Sequence, residues 1–299
     1  MLWLKQFDQF SLLLSPPRKR DVIKDVLILR PGGLGDLVVL TEALCSLGFS
    51  PKQFDWIVER RNAIWLDYLG VTYRCYDSIL TLSQLIFSKC SYKYSISSEQ
   101  TFGLAALLGE RMCGKGGTHF GFSANKRNDL FDIVLDYDFD KHEFFVFKSL
   151  LENALSNSLF EKEQLIIPEI KRKIGRDVSI VALGGYQIKE KTLEDSLWLR
   201  MIDEAHAESE HVLLLGAMQD KVHAQRLVKK SSKQIENLVG EIHFACVVDF
   251  VRQAKKLYAT DSGLVHVADF FSVPSRVYFQ TGNSKKWGPR SEGSEIVSV

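Results

Sequence analysis

The sequence predicts an α/β protein built from two Rossmann-like domains, and two features of the chain support this fold class. Apolar runs typical of buried strands alternate with helical patterns through both halves of the chain. Two polar turns that contain glycine, at residues 30–36 and 260–266, each follow such a run and precede a helical pattern. Because ligands of open α/β sheets bind at turns of this kind, we expect the two domains to face each other across one cleft.

Length and composition fit two mid-sized domains. The chain has 299 residues, of which 45% are apolar and 25% are charged, and its formal net charge is +1. This near-neutral balance argues against a general nucleic-acid binder. The five cysteines are scattered and form no CxxC pair, which predicts a reducing, cytoplasmic compartment and no metal site. No run of 18 apolar residues occurs, so a membrane-spanning segment is not expected.

Residues 1–24 are predicted to form an N-terminal amphipathic extension. Eight of the residues 2–14 are leucine, tryptophan or phenylalanine, and two prolines and the basic residues Arg18, Lys19 and Arg20 follow them. The segment lacks the basic start and the small-residue cleavage site of a secretory signal. We favour a helix packed on the body of the protein. The alternative is a helix that lies on the inner face of a membrane, with the basic residues at the lipid head groups.

The first domain is predicted to span residues 25–165. Strand-like runs at 26–29, 54–58, 94–96 and 133–135 alternate with helical patterns such as 37–47 and 102–112, which is the rhythm of βαβ units. The polar stretch 161–177 contains one proline, one glycine and five basic residues, four of which lie between 171 and 176. We interpret it as the linker between the domains.

The second domain is predicted to span residues 176–299. Its strands are expected at 178–183, 211–215 and 256–259, with 275–279 as the last strand, and its helices from about residue 193 and over 220–230. In the first of these helices Leu197, Met201 and Ala205 recur at intervals of four, so they are predicted to face the core.

The first polar turn carries a candidate catalytic carboxylate. Gly32, Gly33 and Gly35 leave room for a ligand to approach backbone N–H groups at the start of a helix. Asp36 follows them in the first helical turn, where a carboxylate often does no more than stabilise the helix dipole. The alternative is a general base that takes a proton from a hydroxyl nucleophile.

The second polar turn carries candidate ligand contacts. Ser262 and Gly263 open a helix, so their backbone N–H groups are placed to bind a diphosphate, while Asp261 is placed to accept hydrogen bonds from sugar hydroxyls. The alternative is a plain helix N-cap. His266 lies one helical turn after Ser262 and is expected to point toward the same site.

A third loop, residues 184–192, contains two glycines and follows a predicted strand. Lys189 or Lys191 in this loop is placed to put a positive charge on a phosphate, although exposed loop lysines are often only solvated. Trp287 follows the strand at 275–279 and is expected either to form one wall of a nucleotide pocket or to serve as a packing anchor.

Taken together, these segments resemble glycosyltransferase family 9, the heptosyltransferases that build the inner core of bacterial lipopolysaccharide. The resemblance spans about residues 25–290 and rests on several segments. They are the strand with its Gly-Asp turn at 26–36, the helix segment at 41–44, the strand end at 213–216, the stretch 237–240, the aspartate-serine-glycine-x-x-histidine motif at 261–266, and the segment 279–289 with its tryptophan-glycine-proline end.

The resemblance implies an inverting GT-B enzyme that uses neither a metal nor a cofactor. The N-terminal domain would bind a lipid-linked saccharide acceptor and the C-terminal domain would bind ADP-heptose. By the same resemblance Asp36 is the base, Asp261 contacts a sugar hydroxyl, and Ser262 and Gly263 contact the diphosphate. Lys189 or Lys191 is the counterpart of a family lysine.

Two other functions are compatible with parts of the pattern. A sugar-nucleotide-binding protein without catalytic activity would keep the same fold. An NAD-dependent dehydrogenase would share the Rossmann-like domains, but the chain lacks GxGxxG and a downstream ribose-binding acid.

Overall fold

The computed structural model describes residues 21–100, 103–123, 128–156, 160–184 and 193–299. The chain divides after Pro168 into two compact units. Each unit contains a six-stranded sheet in which every pair of neighbouring strands is parallel. Residues 1–20 lie outside the described part of the chain, and with them nearly all of the predicted extension 1–24.

The first unit alternates strands and helices in the order that the sequence predicts. Its elements are β1 (Lys24–Arg30), α1 (Leu34–Ser46), a 3₁₀ turn (Pro51–Gln53), β2 (Asp55–Val58), α2 (Arg60–Leu69), β3 (Arg74–Cys75), α3 (Ile79–Ile86), β4 (Tyr92–Ser97), α4 (Gly103–Met112), β5 (Cys113–Phe122), a 3₁₀ turn (Asn128–Leu130), β6 (Ile133–Leu135) and α5 (Glu143–Leu155). The order of strands across the sheet is β3-β2-β1-β4-β5-β6.

The second unit repeats the same plan. Its elements are β7 (Val178–Ala182), α6 (Asp195–Glu208), β8 (His211–Leu215), a 3₁₀ turn (Met218–Asp220), α7 (Lys221–Lys230), β9 (Glu236–Asn237), α8 (Phe244–Gln253), β10 (Lys256–Thr260), α9 (Gly263–Phe270), β11 (Ser275–Phe279), α10 (Ser284–Trp287) and β12 (Glu295–Ser298). The order of strands is β12-β11-β10-β7-β8-β9.

Read from the first strand of each unit, both sheets have the strand order 3-2-1-4-5-6 of a dinucleotide-binding fold. The order reverses between β1 and β4 in one sheet and between β7 and β10 in the other. At such a switch point the loops after the two strands diverge, which leaves a crevice at their carboxyl ends. The two polar turns predicted from the sequence follow β1 and β10, so each lies at the switch point of its own sheet.

Burial on both faces explains why the central strands could be predicted from apolar runs in the sequence. Leu27, Ile28 and Leu29 of β1 are completely buried, and the strand pairs with β2 on one side and β4 on the other. A parallel strand covered on both faces reads as a continuous apolar run. Met201 and Ala205 of α6 are also completely buried, which confirms the predicted core face of that helix.

All eight predicted strands are present, and the α/β class with parallel sheets is confirmed. The expectation that 275–279 is the last strand is wrong, because β12 follows it at the edge of the sheet. The strand β5 was not predicted. Its sequence contains four glycines, which weaken a strand pattern, and Gly117 allows close approach to the backbone of β4 where the pairing register shifts.

The outer strands of both sheets are short. The first sheet ends in β3 with two residues and β6 with three, and the second ends in β9 with two and β12 with four. Among the helices that the structure describes, none is long and apolar enough to cross a membrane.

Candidate active site

The turn after β1 brings Asp36 to the switch point of the first sheet. Gly32 has a φ of +118°, a conformation that favours glycine, and Gly33 is the N-cap of α1. Gly35 lies in the first turn of that helix, and Asp36 is its third residue. The predicted glycines and the predicted carboxylate therefore lie together where a parallel sheet binds its ligands.

Both oxygens of the Asp36 carboxylate are held by hydrogen bonds. Oδ1 accepts one from Nη2 of Arg30 at 2.6 Å, and Oδ2 accepts one from the backbone N–H of Gly33 at 2.8 Å. The second bond is the backward half of a capping box. The N–H of Gly33 was predicted to be available to a ligand, and the structure shows that Asp36 occupies it. A Cβ atom at Gly33 would lie 2.9 Å from Oδ2, so the glycine makes room for the carboxylate.

Arg30 is the residue of this site that the sequence analysis missed. It ends β1, and only 3% of its surface is exposed. Its Nη1 donates to the carbonyl oxygen of Ser98, just after β4, and its guanidinium lies 5.0 Å from the centre of the Phe147 ring of α5. Arg30 thus connects the two strands that flank the switch point. The only local signal that could have pointed to Arg30 is its position as an arginine at the end of an apolar strand.

Further carboxylates surround Arg30. Glu143, the first residue of α5, is completely buried and accepts hydrogen bonds from Tyr137 Oη at 2.6 Å and from Gln100 Nε2 at 2.5 Å. Burial acts to lower the pKa of Arg30, but the negative charges of Asp36, Glu99 and Glu143 outweigh it and raise the pKa above its ordinary value. Arg30 is therefore a permanent cation at the centre of this cluster.

The second unit places Ser262 at its own switch point. Ser262 is the N-cap of α9, but its side chain makes no capping hydrogen bond, and its Oγ is buried without a partner among the described residues. The side-chain cap of the alternative interpretation is thus not seen. A Cβ atom at Gly184, after β7, would lie 3.3 Å from the Cβ of Ser262, and Thr260 Oγ1 donates to the Gly184 carbonyl at 3.3 Å. The ends of β7 and β10 therefore meet at these residues.

His266 and Trp287 pack against each other, with ring centres 5.8 Å apart at an interplanar angle of 64°. His266 is buried, and Trp287 packs against it. This contact corresponds to the alternative in which Trp287 serves as a packing anchor. Three residues further along α9, the Asp269 carboxylate accepts hydrogen bonds from the backbone N–H groups of Arg290 and Ser291 at 2.8–3.0 Å. The tryptophan-glycine-proline segment is thus fixed to α9 at two points.

The remaining predicted residues have different outcomes. Asp261 directly follows β10, and a Cβ atom at Gly282 would lie 3.2 Å from its Oδ2, so the loop after β11 approaches this carboxylate. Gly263 is the first residue of α9. Lys189 and Lys191 lie outside the described residues. Within the described ranges, no group of three or more His, Cys, Asp or Glu side chains could hold a metal ion.

A search of curated protein sequences finds no match. Comparisons with solved structures, in contrast, agree with this architecture. Among solved structures, a glycosyl transferase family 9 protein from Veillonella parvula DSM 2008 has a TM-score of 0.71 and 14% identity over 94% of this chain and 88% of that one. The E. coli heptosyltransferase WaaC with ADP has a TM-score of 0.70 and 16% identity over 92% and 93% of the two chains. E. coli ADP-heptose lps heptosyltransferase II has a TM-score of 0.68 and 16% identity over 91% and 90%.

The family profile described as glycosyltransferase family 9 (heptosyltransferase) matches residues 129–299. The match includes the whole second sheet, with the turn that carries Asp261 and Ser262, and it ends after the tryptophan-glycine-proline segment. It covers more than half of the chain. The structural similarity extends the same fold to the first unit and its Asp36 turn. The chain therefore belongs to glycosyltransferase family 9.

Proposed function

We propose that this protein is an inverting, metal-independent glycosyltransferase. It moves a heptose, or a related sugar, from ADP-heptose or another nucleotide-sugar to a lipopolysaccharide core or a similar lipid-linked saccharide, in the cytoplasm at the inner face of the inner membrane. Family membership supports the reaction class. The donor class is suggested by the similar E. coli WaaC, which has been solved with ADP and with ADP-2-deoxy-2-fluoro heptose.

The observation that carries the proposal is the arrangement of Asp36. Its carboxylate stands at the switch point, is held at both oxygens, and keeps 24% of its side chain exposed. Each carboxylate oxygen has two lone pairs, so one on each remains for a substrate hydroxyl. A carboxylate that did no more than stabilise the helix dipole would not need a buried arginine to fix it.

In the proposed reaction an acceptor hydroxyl attacks the anomeric carbon of the donor sugar, and Asp36 takes the hydroxyl proton. The new C–O bond forms as the bond to the diphosphate breaks, and the electron pair leaves with the nucleoside diphosphate. A single displacement inverts the configuration at that carbon. General-base catalysis of this kind contributes about 10²–10⁴ in rate.

We assign the leaving diphosphate to the start of α9. The N–H groups of Ser262 and Gly263 begin a helix, and the helix dipole favours an anion there. A buried hydroxyl without a partner costs about 1–3 kcal/mol, which a phosphate oxygen at Ser262 Oγ would offset. Asp261 would accept hydrogen bonds from sugar hydroxyls, and His266 would hold the end of this site against Trp287. Lys189 or Lys191 would add the positive charge that other enzymes take from a metal.

The test compares Asp36→Asn with Asp25→Asn, a matched change at an exposed carboxylate of β1, the strand that leads into the Asp36 turn. Asp36→Asn is expected to lower transfer 10²–10⁴-fold and to leave ADP affinity unchanged. Near-normal turnover in Asp36→Asn would contradict the proposal.

A thermal-shift comparison of ADP, UDP, GDP and NAD tests the donor class. A ligand at 100 times its dissociation constant stabilises the protein by about 2.7 kcal/mol. Stabilisation by ADP without transfer to any acceptor extract would favour the non-catalytic homologue. Stabilisation by NAD alone would favour the dehydrogenase.

A further inference from the structure

Arg30 is fixed on several sides, which makes it suited to holding another group in place. Its guanidinium donates to Ser98 and to Asp36 and lies over the Phe147 ring, and its backbone carbonyl accepts a hydrogen bond from Asn62 Nδ2 at 3.2 Å. These contacts come from the loop after β4 and from α1, α2 and α5. Because Arg30 cannot swing away, the Asp36 carboxylate that it binds keeps one orientation.

The same contact has an electrostatic disadvantage for a general base. A guanidinium within hydrogen-bond distance favours the charged form of a carboxylate and so opposes the uptake of a proton.

Glu143 and Glu99 reduce this disadvantage. The charged groups that face Arg30 are carboxylates from three elements: Asp36 from α1, Glu99 from the loop after β4, and Glu143 from the start of α5, one helical turn before the Phe147 ring that the guanidinium contacts. Tyr137, in the loop after β6, also faces Arg30 but is neutral, because burial raises its pKa. Because Arg30 interacts with three carboxylates, its charge is not concentrated on Asp36. Glu143 is completely buried, and donors from Tyr137 and Gln100 hold it at both oxygens. A glutamate is seldom buried so fully without a paired charge.

We infer that Arg30 and Glu143 are positioning residues of the proposed transfer: Arg30 fixes the direction of the Asp36 carboxylate, and Glu143 offsets the charge of Arg30 so that Asp36 can accept the proton. This inference rests on the proposed function, because it assigns a task to residues around the proposed base. Neither residue needs to touch the substrate.

The test measures transfer as a function of pH in Arg30→Gln, Arg30→Lys and Glu143→Gln. The rate of a base-catalysed step falls on the acid side as the base becomes protonated. Arg30→Gln removes a positive charge beside the base, so the acid limb of the kcat/KM profile is expected to move to higher pH by about one unit. Its plateau is expected to fall about 10–100-fold because the carboxylate loses its fixed direction.

Glu143→Gln is expected to move the acid limb in the opposite direction. It removes a negative charge and keeps the shape of the side chain, so the full charge of Arg30 acts on Asp36 and the limb moves to lower pH. Arg30→Lys keeps the charge and loses the planar fork, so it is expected to lower the plateau with little movement of the limb. The KM for the donor is expected to stay constant in all three variants.

The matched control is Arg276→Gln. Arg276 also faces two carboxylates, with Nε 3.4 Å from Glu204 Oε2 and 3.7 Å from Glu295 Oε2, and two tyrosines, but it lies near the amino end of β11. It is expected to leave the acid limb in place. Thermal unfolding of each variant shows whether it is folded, and if Arg30→Gln does not fold, Arg30→Lys and Glu143→Gln still test the inference.

The outcomes separate this inference from the proposed function. If Arg30→Gln and Glu143→Gln shift the acid limb in the same direction, or shift it no more than Arg276→Gln does, the inference is wrong while Asp36 remains the base. If Asp36→Asn retains turnover, the proposed function fails at the base itself. Opposite shifts of the limb, together with an inactive Asp36→Asn, support both.

Discussion

Replacing Gly33 with alanine is expected to disturb Asp36 while leaving the fold nearly intact. Gly33 has a φ of −76°, which alanine adopts without strain. The added Cβ atom would lie 2.9 Å from Oδ2 of Asp36, whereas ordinary contacts of this kind begin at 3.4 Å. The carboxylate oxygen must therefore retreat by about 0.5 Å, the difference between the two distances.

This movement of the carboxylate oxygen is expected to lower the rate of transfer more than the stability of the fold. The atom that must move is the end of a side chain, so the loss of stability is expected to be about 1 kcal/mol, close to the value of one hydrogen bond. Arg30 holds the other oxygen at 2.6 Å, so the carboxylate has to rotate rather than shift as a whole. A misplacement of about 1 Å can cost 10² in rate, and we therefore expect transfer to fall about 10–100-fold.

The assay is initial-rate transfer at saturating donor, with thermal unfolding of the same preparations. The matched control is Gly175→Ala, because a Cβ atom there would meet nothing closer than 3.9 Å. Full activity in Gly33→Ala would refute the role of this geometry. We expect only the Asp36 side chain to move. A stability loss above about 3 kcal/mol would contradict this, because a loss of that size would mean that the backbone is displaced as well.

Three further predictions test other parts of the structure. Gly288→Ala is expected to lower stability by about 1–3 kcal/mol in thermal unfolding, because its Cβ atom would lie 2.4 Å from the Ser284 carbonyl oxygen, and an unchanged melting temperature would contradict this. Burial, aided by the charge of Arg226, lowers the pKa of His223 below its usual 6.5. The stability that this neutral histidine contributes is therefore present above about pH 6.5 and is lost as the pH falls through the lowered pKa. His223→Gln is expected to flatten the dependence of melting temperature on pH between about 7 and 5, and an unaltered slope would count against this. Transfer is expected to persist in excess chelator, and a complete loss that manganese restores would show that the diphosphate needs a metal.

The central strands and the polar turns could be predicted because their signals are local. Residues 26–29 form a continuous apolar run, and the glycines with Asp36 follow it directly. A few consecutive residues are enough to predict segments of this kind. The strand β5 could not be recognised in this way, because its glycines serve a close approach to β4 that only the folded sheet reveals.

The cluster around Arg30 was out of reach for a different reason. Ser98 and Glu143 lie 68 and 113 positions after Arg30 in the chain, and nothing near either residue marks it as a partner. Glutamates also lie mostly at protein surfaces, whereas Glu143 is completely buried with Tyr137 and Gln100 as hydrogen-bond donors to its two oxygens. Buried polar partners are fixed by tertiary packing, which short sequence patterns do not encode.

The short outer strands have a consequence for how this protein behaves at high concentration. A sheet edge can recruit a strand from another chain in proportion to the row of free N–H and C=O groups that it presents. Strands of two to four residues present few of them, so the outer strands that the structure describes offer no long template for edge-to-edge association. We expect aggregation on heating to begin from unfolded apolar segments rather than from the native sheets, and its onset should follow the melting temperature from one variant to the next.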